Sequence, residues 1–253
     1  MGGKRGLSRA GRALAAALLL LAATSNAFAE PKRIAFIGDS MADGLWNGFL
    51  RLTIRDACLR EELDLKREAK ISTGLTRPDK FSWPEQARRL GASLKPHVFV
   101  VSLGLNDRQS VINPDGSRGE WGTPAWAAKY REQIVLVLKN ALAAGAEVVW
   151  IGLPAMRDGV ADADAREKNK LFAETLLAFG DSRARYVEPW RLKEEADSFT
   201  SYGPDGGGSL VQIRNPDGIH FTPMGYELVA TYLLPKIVAS FEHMGLTFNR
   251  CGK

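Results

Sequence analysis

The sequence predicts an α/β domain built on a mainly parallel sheet with helices on both faces. Three observations carry that prediction. Short apolar runs recur along the chain, each long enough for one buried strand. Segments of ten or more residues with helical spacing separate them. The clearest runs stop at residues that end strands, namely Gly38, Gly104 and Pro154.

From the N-terminal side, Arg33 to Gly38 reads as the first buried strand, and Asp43 to Leu63 has helical spacing through Leu45, Phe49, Leu52, Cys58 and Leu59. Leu65 to Ile71 is a second strand by pattern. Trp83 to Leu94 is a helix with Pro84 in its first turn, where no intrahelical N–H is needed. Val98 to Gly104 is the strongest strand. Trp126 to Ala144 is an amphipathic helix closed by Gly145. Val148 to Leu153 is another strand, Ala161 to Phe179 a helix, and Ala184 to Val187 a last short strand. Thr222 and Pro223 open the final helix as N-cap and first residue, and it runs to about Glu242.

The chain opens with a basic head of Lys4, Arg5, Arg9 and Arg12, an apolar run from Ala13 to Ala23, and Ala27-Phe28-Ala29. This is the layout of a secretory signal peptide, and it predicts cleavage after Ala29 and a periplasmic or secreted protein. The apolar run is too short to span a bilayer, so no stable membrane insertion is expected after cleavage. Residues 1–29 hold four Lys/Arg and no Asp/Glu, so removing them lowers the net charge from +5 to +1. With no basic block left in residues 30–253, a nucleic-acid partner is not expected. One domain of that length buries a single core. Export permits a disulfide between Cys58 and Cys251, and two free thiols are the alternative.

In parallel sheets ligands sit at the carboxyl ends of the strands. Three loops there hold polar clusters: Gly38-Asp39-Ser40, Gly104-Leu105-Asn106-Asp107 and Asp217-Gly218-Ile219-His220. Two long irregular stretches, 107–125 and 197–216, border them. The clusters supply what acyl transfer needs. A serine hydroxyl requires a base during attack, a neutral imidazole provides one, and a carboxylate on the far ring nitrogen fixes the tautomer. The oxyanion needs donors, which the Ser40 N–H and the Asn106 side chain can offer. Of the three histidines, His97 precedes a strand and so lies at the wrong edge, and His243 lies near the end of the last helix. His220 alone sits on the correct edge. Position 42 is Ala, so Ser40 is not in a G-x-S-x-G elbow. No Cys/His ligand cluster, G-x-G-x-x-G or Walker loop is present, and no metal or cofactor is expected. Gly206-Gly207-Gly208 reads as a flexible loop.

The three clusters in this order resemble the consensus blocks of the SGNH/GDSL hydrolase superfamily. Gly38-Asp39-Ser40 matches the nucleophile block, Gly104-Leu105-Asn106-Asp107 the G-x-N-D block, and Asp217 to His220 the D-x-x-H block. Gly74 falls where the superfamily's second-block glycine donates its N–H. The first block continues Met41-Ala42-Asp43-Gly44-Leu45, a departure from the commoner pattern. GDSMADGL together with GLNDRQ resembles a bacterial periplasmic subfamily of unknown function, the DUF459 type. The resemblance implies a three-layer α/β/α, flavodoxin-like sandwich with about five parallel strands. It implies ester hydrolysis by Ser40, His220 and Asp217, with Ser40, Gly74 and Asn106 forming the oxyanion hole. It leaves Asp39 a structural role.

Arg108, Trp121 and Trp46 are the substrate-binding candidates. Arg108 follows the oxyanion block, and Trp121 lies in the loop beyond it. Trp46, Trp126 and Tyr202 could also stack on a sugar, although Trp46 and Trp126 equally suit packing against the sheet. The expected substrate is an O-acyl, foremost O-acetyl, ester on an envelope or extracellular glycan. A glycan O-acetyltransferase using the same acyl-enzyme and a non-catalytic glycan-binding protein are the alternatives. The sequence carries no reading of oligomeric state.

Overall fold

The computed structural model describes residues 2, 30–191 and 198–248. The expected signal peptide, residues 1–29, lies outside them apart from Gly2. The chain divides into Met1–Glu30 and Pro31–Lys253, and the fold described is that of the second.

In chain order the elements are β1 (Lys32–Gly38), α1 (Ser40–Arg55), α2 (Ala57–Glu62), β2 (Leu63–Ala69), α3 (Trp83–Leu94), β3 (Val98–Ser102), β4 (Val111–Ile112), β5 (Arg118–Gly119), α4 (Pro124–Ala143), β6 (Glu147–Ile151), α5 (Gly159–Phe179), β7 (Ala184–Val187), β8 (Tyr202–Pro204), β9 (Leu210–Gln212) and α6 (Pro223–His243). Five strands form one sheet in the order β2-β1-β3-β6-β7, every pairing parallel. The architecture is a three-layer α/β/α sandwich, as expected.

Side chains alternate across a strand, and the two faces separate cleanly here. Ala35, Ile37, Phe99, Val101, Val148 and Trp150 face a layer made by α3, α4 and α5. Their neighbours Ile34, Phe36, Val98, Val100, Val149 and Ile151 face α1 and α6. All five residues of β3 and of β6 are buried. Each fully buried Val, Ile or Phe contributes about 1.5–3 kcal/mol, which is why these central strands read as unbroken apolar runs.

Three local differences from the sequence reading have physical causes. The first helix begins at Ser40 and is interrupted at Asp56, whose extended backbone and carboxylate cap a new helix through the N–H groups of Cys58 and Leu59. The second strand spans Leu63–Ala69, two residues earlier than expected, because an edge strand of mixed composition gives little pattern to register. The two stretches expected to be irregular each contain a short antiparallel hairpin, β4–β5 and β8–β9. Cys58 is disulfide-bonded, so the free-thiol alternative does not hold for it. Cys251 lies outside the described residues.

Helices α1 and α6 carry the two halves of the candidate site and approach each other closely. A Cβ on Gly44 would stand 1.9 Å from the Tyr226 ring, and one on Gly48 would stand 2.2 Å from the Tyr226 carbonyl oxygen. Only a bare backbone lets these helices pack so closely. Ser40 is the first residue of α1, and His220 lies three residues before α6.

Candidate active site

Ser40 stands where β1 turns into α1. Asp39 caps that helix: its Oδ1 accepts from the Met41 N–H at 2.9 Å and its Oδ2 from the Leu105 N–H at 3.1 Å. One fully buried carboxylate thus joins the loops after β1 and β3. Burial pushes its pKa up to about 7, against the lowering effect of those two N–H groups.

His220 reaches Ser40 across the sheet edge. Its Nε2 lies 2.7 Å from Ser40 Oγ, and its Nδ1 lies 2.8 Å from Asp217 Oδ2. Asp217 Oδ1 also accepts the N–H groups of Ile219 at 2.8 Å and His220 at 3.0 Å. The carboxylate therefore orients both the ring and the turn that carries it. Desolvation pushes the Asp217 carboxyl up, but the hydrogen bonds from His220 and from the two N–H groups hold it below the usual carboxylate range. The other two histidines lie at the opposite edge: His97 Nδ1 accepts from the Arg33 N–H, and His243 bonds Glu147 at the start of β6.

The donors expected for an oxyanion meet in the loops after β1, β2 and β3. As first residue of its helix, Ser40 has an N–H with no intrahelical acceptor. Asn106 Nδ2 donates to the Thr73 carbonyl at 2.9 Å, which occupies one of its two N–H bonds and leaves the other. Thr73 precedes Gly74, so this bond ties two of the expected donors together. Asp107, fully buried, fixes the segment beyond. Its carboxylate accepts from the N–H groups of Leu75 (2.9 Å) and Thr76 (3.1 Å), the Thr76 hydroxyl (2.8 Å) and the Tyr130 hydroxyl (2.8 Å). A Cβ at position 74 would sit 1.9 Å from Asp107 Oδ1, so only glycine fits beside this carboxylate.

A family model described as a protein of unknown function (DUF459) matches residues 33–236. The chain belongs to the DUF459 family. No curated protein matches it. Among solved structures, a mutant acetyl esterase with acetate ion is similar with a TM-score of 0.57 at 14% identity, covering 84% of this chain and 99% of that one. A catalytic mutant of an acetylxylan esterase from Geobacillus stearothermophilus gives 0.54 at 11%, covering 88% and 98%. A GDSL-like lipase from Bacteroides thetaiotaomicron gives 0.50 at 16%, covering 87% and 97%. This DUF459 protein thus has the SGNH-hydrolase fold.

Beside the site, a cavity of about 190 Å³ is lined by Leu105, Arg108, Leu153, Met156, Asp164 and Ile219, among others. Arg108 is exposed at its rim. The other two substrate-binding candidates, Trp121 and Trp46, do not line this cavity. Trp121 packs edge-on against Trp126, with ring centroids 4.5 Å apart. Trp46 packs in the α1–α6 layer with the Arg67 guanidinium 5.0 Å from its ring.

Sequence reading missed two arginines that hold the His220 loop in this DUF459 chain. Buried Arg214 donates from Nη2 to the Ile219 carbonyl at 2.7 Å and lies over the rings of Phe221 and Phe199. Burial pushes its guanidinium down to about 10. Arg157 donates from Nη1 to the Pro216 carbonyl at 2.7 Å and from its backbone N–H to the Gly218 carbonyl at 3.0 Å. Nothing in the spacing of either residue distinguishes it from a surface charge. Among the described residues, no group of three or more His, Cys, Asp or Glu is arranged to hold a metal ion, and no helix is long and apolar enough to cross a membrane.

Proposed function

We propose that this protein is an exported serine esterase that removes O-acyl groups, acetyl foremost, from an envelope or extracellular glycan. The observation that carries the reading is the unbroken hydrogen-bond chain from Asp217 through His220 to Ser40. In this mechanism His220 Nε2 takes the proton of Ser40 as Oγ attacks the ester carbonyl. Asp217 stabilises the imidazolium. The oxyanion is met by the N–H groups of Ser40 and Gly74 and by the remaining N–H of Asn106. Collapse expels the alcohol, which takes the proton from His220, and water repeats the sequence to release the acid.

The choice of acetyl is supported by the fold shared with the acetyl esterases, and that of an external glycan by the signal-peptide pattern of residues 1–29 with cleavage after Ala29. The test is hydrolysis of p-nitrophenyl acetate by the native protein and by Ser40→Ala and His220→Ala. The native protein should turn it over, and each variant should lose at least about 10³-fold in kcat. Acetylated peptidoglycan, xylan and periplasmic glucans then identify the carrier. Free acetate as product distinguishes hydrolysis from transfer to an added glycan. Equal rates in native protein and Ser40→Ala would end the proposal.

A further inference from the structure

We infer that Phe199 is a positioning residue for the base His220: its ring holds the Arg157 and Arg214 guanidiniums against the turn that carries the imidazole. The role rests on the esterase reading and adds to it what fixes the base in place.

The turn is gripped by its carbonyls. Arg157 donates to that of Pro216 from Nη1 and to that of Gly218 from its backbone N–H, and Arg214 Nη2 donates to that of Ile219. Residues 216–219 enclose Asp217 and end at His220. Neither guanidinium pairs with a carboxylate among the described residues. What the two share is the Phe199 ring, whose centroid lies 5.0 Å from the guanidinium carbon of Arg157 and 4.7 Å from that of Arg214.

Arg214 depends on that ring most. It is 4% exposed, and a buried charge needs compensation inside the protein. Its hydrogen-bond acceptors are the Ile219 carbonyl and, at 4.0 Å, the Met156 sulfur; its Nε is buried and meets none among the described residues. Ring faces supply the rest, since their negative quadrupole attracts a cation. Phe221, 4.4 Å away, follows His220 directly and moves with it. Phe199 belongs to a different segment, just before β8. That segment is registered on Arg214: the Ser201 carbonyl accepts from the Ile213 and Arg214 N–H groups at 2.9 and 3.3 Å. Without the Phe199 ring the guanidinium gains by turning to water, and the Ile219 carbonyl loses its donor. His220 Nε2 stands 2.7 Å from Ser40 Oγ, and a misplacement of about 1 Å costs about 10²-fold in rate.

The test replaces Phe199 with Leu, which keeps an apolar side chain but no π face, and with Tyr, which keeps both. Phe199 is only half-buried, so Leu is accommodated. With p-nitrophenyl acetate, Phe199→Leu should lower kcat at least tenfold with KM within threefold of native, and Phe199→Tyr should keep kcat within threefold. The loss in the double variant with Arg214→Met should fall short of the product of the two single losses by at least threefold. Circular dichroism checks folding. Three results would overturn the inference: a Phe199→Leu variant that melts lower yet keeps native kcat well below its melt, a Phe199→Tyr variant as slow as Phe199→Leu, or losses that simply multiply. Hydrogen exchange reads the same role without turnover. Exchange in residues 213–222 should quicken at least tenfold in Phe199→Leu but not in Phe199→Tyr, while β3 and β6 stay native. Unchanged exchange there, or an equal rise throughout, would overturn the inference. If the native protein cleaves no ester, the esterase reading fails separately, and the exchange measurement alone decides whether Phe199 holds this turn.

Discussion

Replacing Asp107 with Ala should unlatch the oxyanion loop from the rest of the domain. The carboxylate accepts four hydrogen bonds, two of them from the backbone N–H groups of Leu75 and Thr76 in a buried segment. The two hydroxyls can turn elsewhere, but those two N–H groups cannot. Each buried donor left without a partner costs about 1–3 kcal/mol, so the variant should lose about 4 kcal/mol. For a domain of this size a loss of 1 kcal/mol lowers Tm by about 2–4 °C, which sets the expected fall at about 8–16 °C. Asp107→Asn keeps one acceptor and should fall between native and Ala. Thr73 and Gly74 lie just before this segment, so activity should drop too, by about 10²-fold for a displaced oxyanion donor. Thermal melts followed by circular dichroism, with p-nitrophenyl acetate turnover, provide the assay. A Tm within about 3 °C of native with full activity would refute the reasoning.

Gly44→Ala places a methyl against the Tyr226 ring, costs about 1–3 kcal/mol and spreads α1 from α6; turnover should fall at least about tenfold, and Tyr226→Leu should restore part of it in a double-mutant cycle. Asp217→Asn keeps an oxygen for the N–H groups of Ile219 and His220 but turns an amide donor toward His220 Nδ1, which forces the proton onto Nε2. Turnover should fall about 10²-fold or more while Tm, for so exposed a residue, stays within about 3 °C, and a large Tm loss would contradict this. Asp39, with its folded-state pKa raised to about 7, keeps a proton that the unfolded chain has lost, so stability falls as pH rises from about 4 to about 7, by at most on the order of 4 kcal/mol. Asp39→Asn should flatten that slope in melts taken across this range, and parallel profiles would contradict it.

The central strands were legible because burial on both faces demands continuous apolar runs, as Val98 to Val101 shows. Edge strand β2 was harder, because its Lys66, Arg67 and Glu68 lack any such constraint. The break at Asp56 was invisible to periodicity, since a capping carboxylate leaves the spacing of Leu52 and Leu59 unchanged. The residues of the site were legible for a different reason. Acyl transfer restricts chemical type, and topology restricts position, so His220 could be separated from His97 and His243. The supports of the site were not legible. Arg214 over the Phe199 and Phe221 rings and Asp107 bonded to Leu75 are charged groups whose burial depends on how separate loops meet. The Asp164–Lys168 pair has the i,i+4 helical spacing, but that spacing does not show that the lysine is buried. Trp46 and Trp121 illustrate the converse: large aromatics near the motifs in sequence, packed against other side chains in the fold.

The most direct measurement is the site of reaction with a fluorophosphonate, read by mass spectrometry of the digested protein. The adduct should fall on Ser40, should disappear in Ser40→Ala, and should form far more slowly in His220→Ala, whose Ser40 lacks the imidazole now 2.7 Å away. No adduct on the native protein, or labelling that persists equally in both variants, would contradict the account.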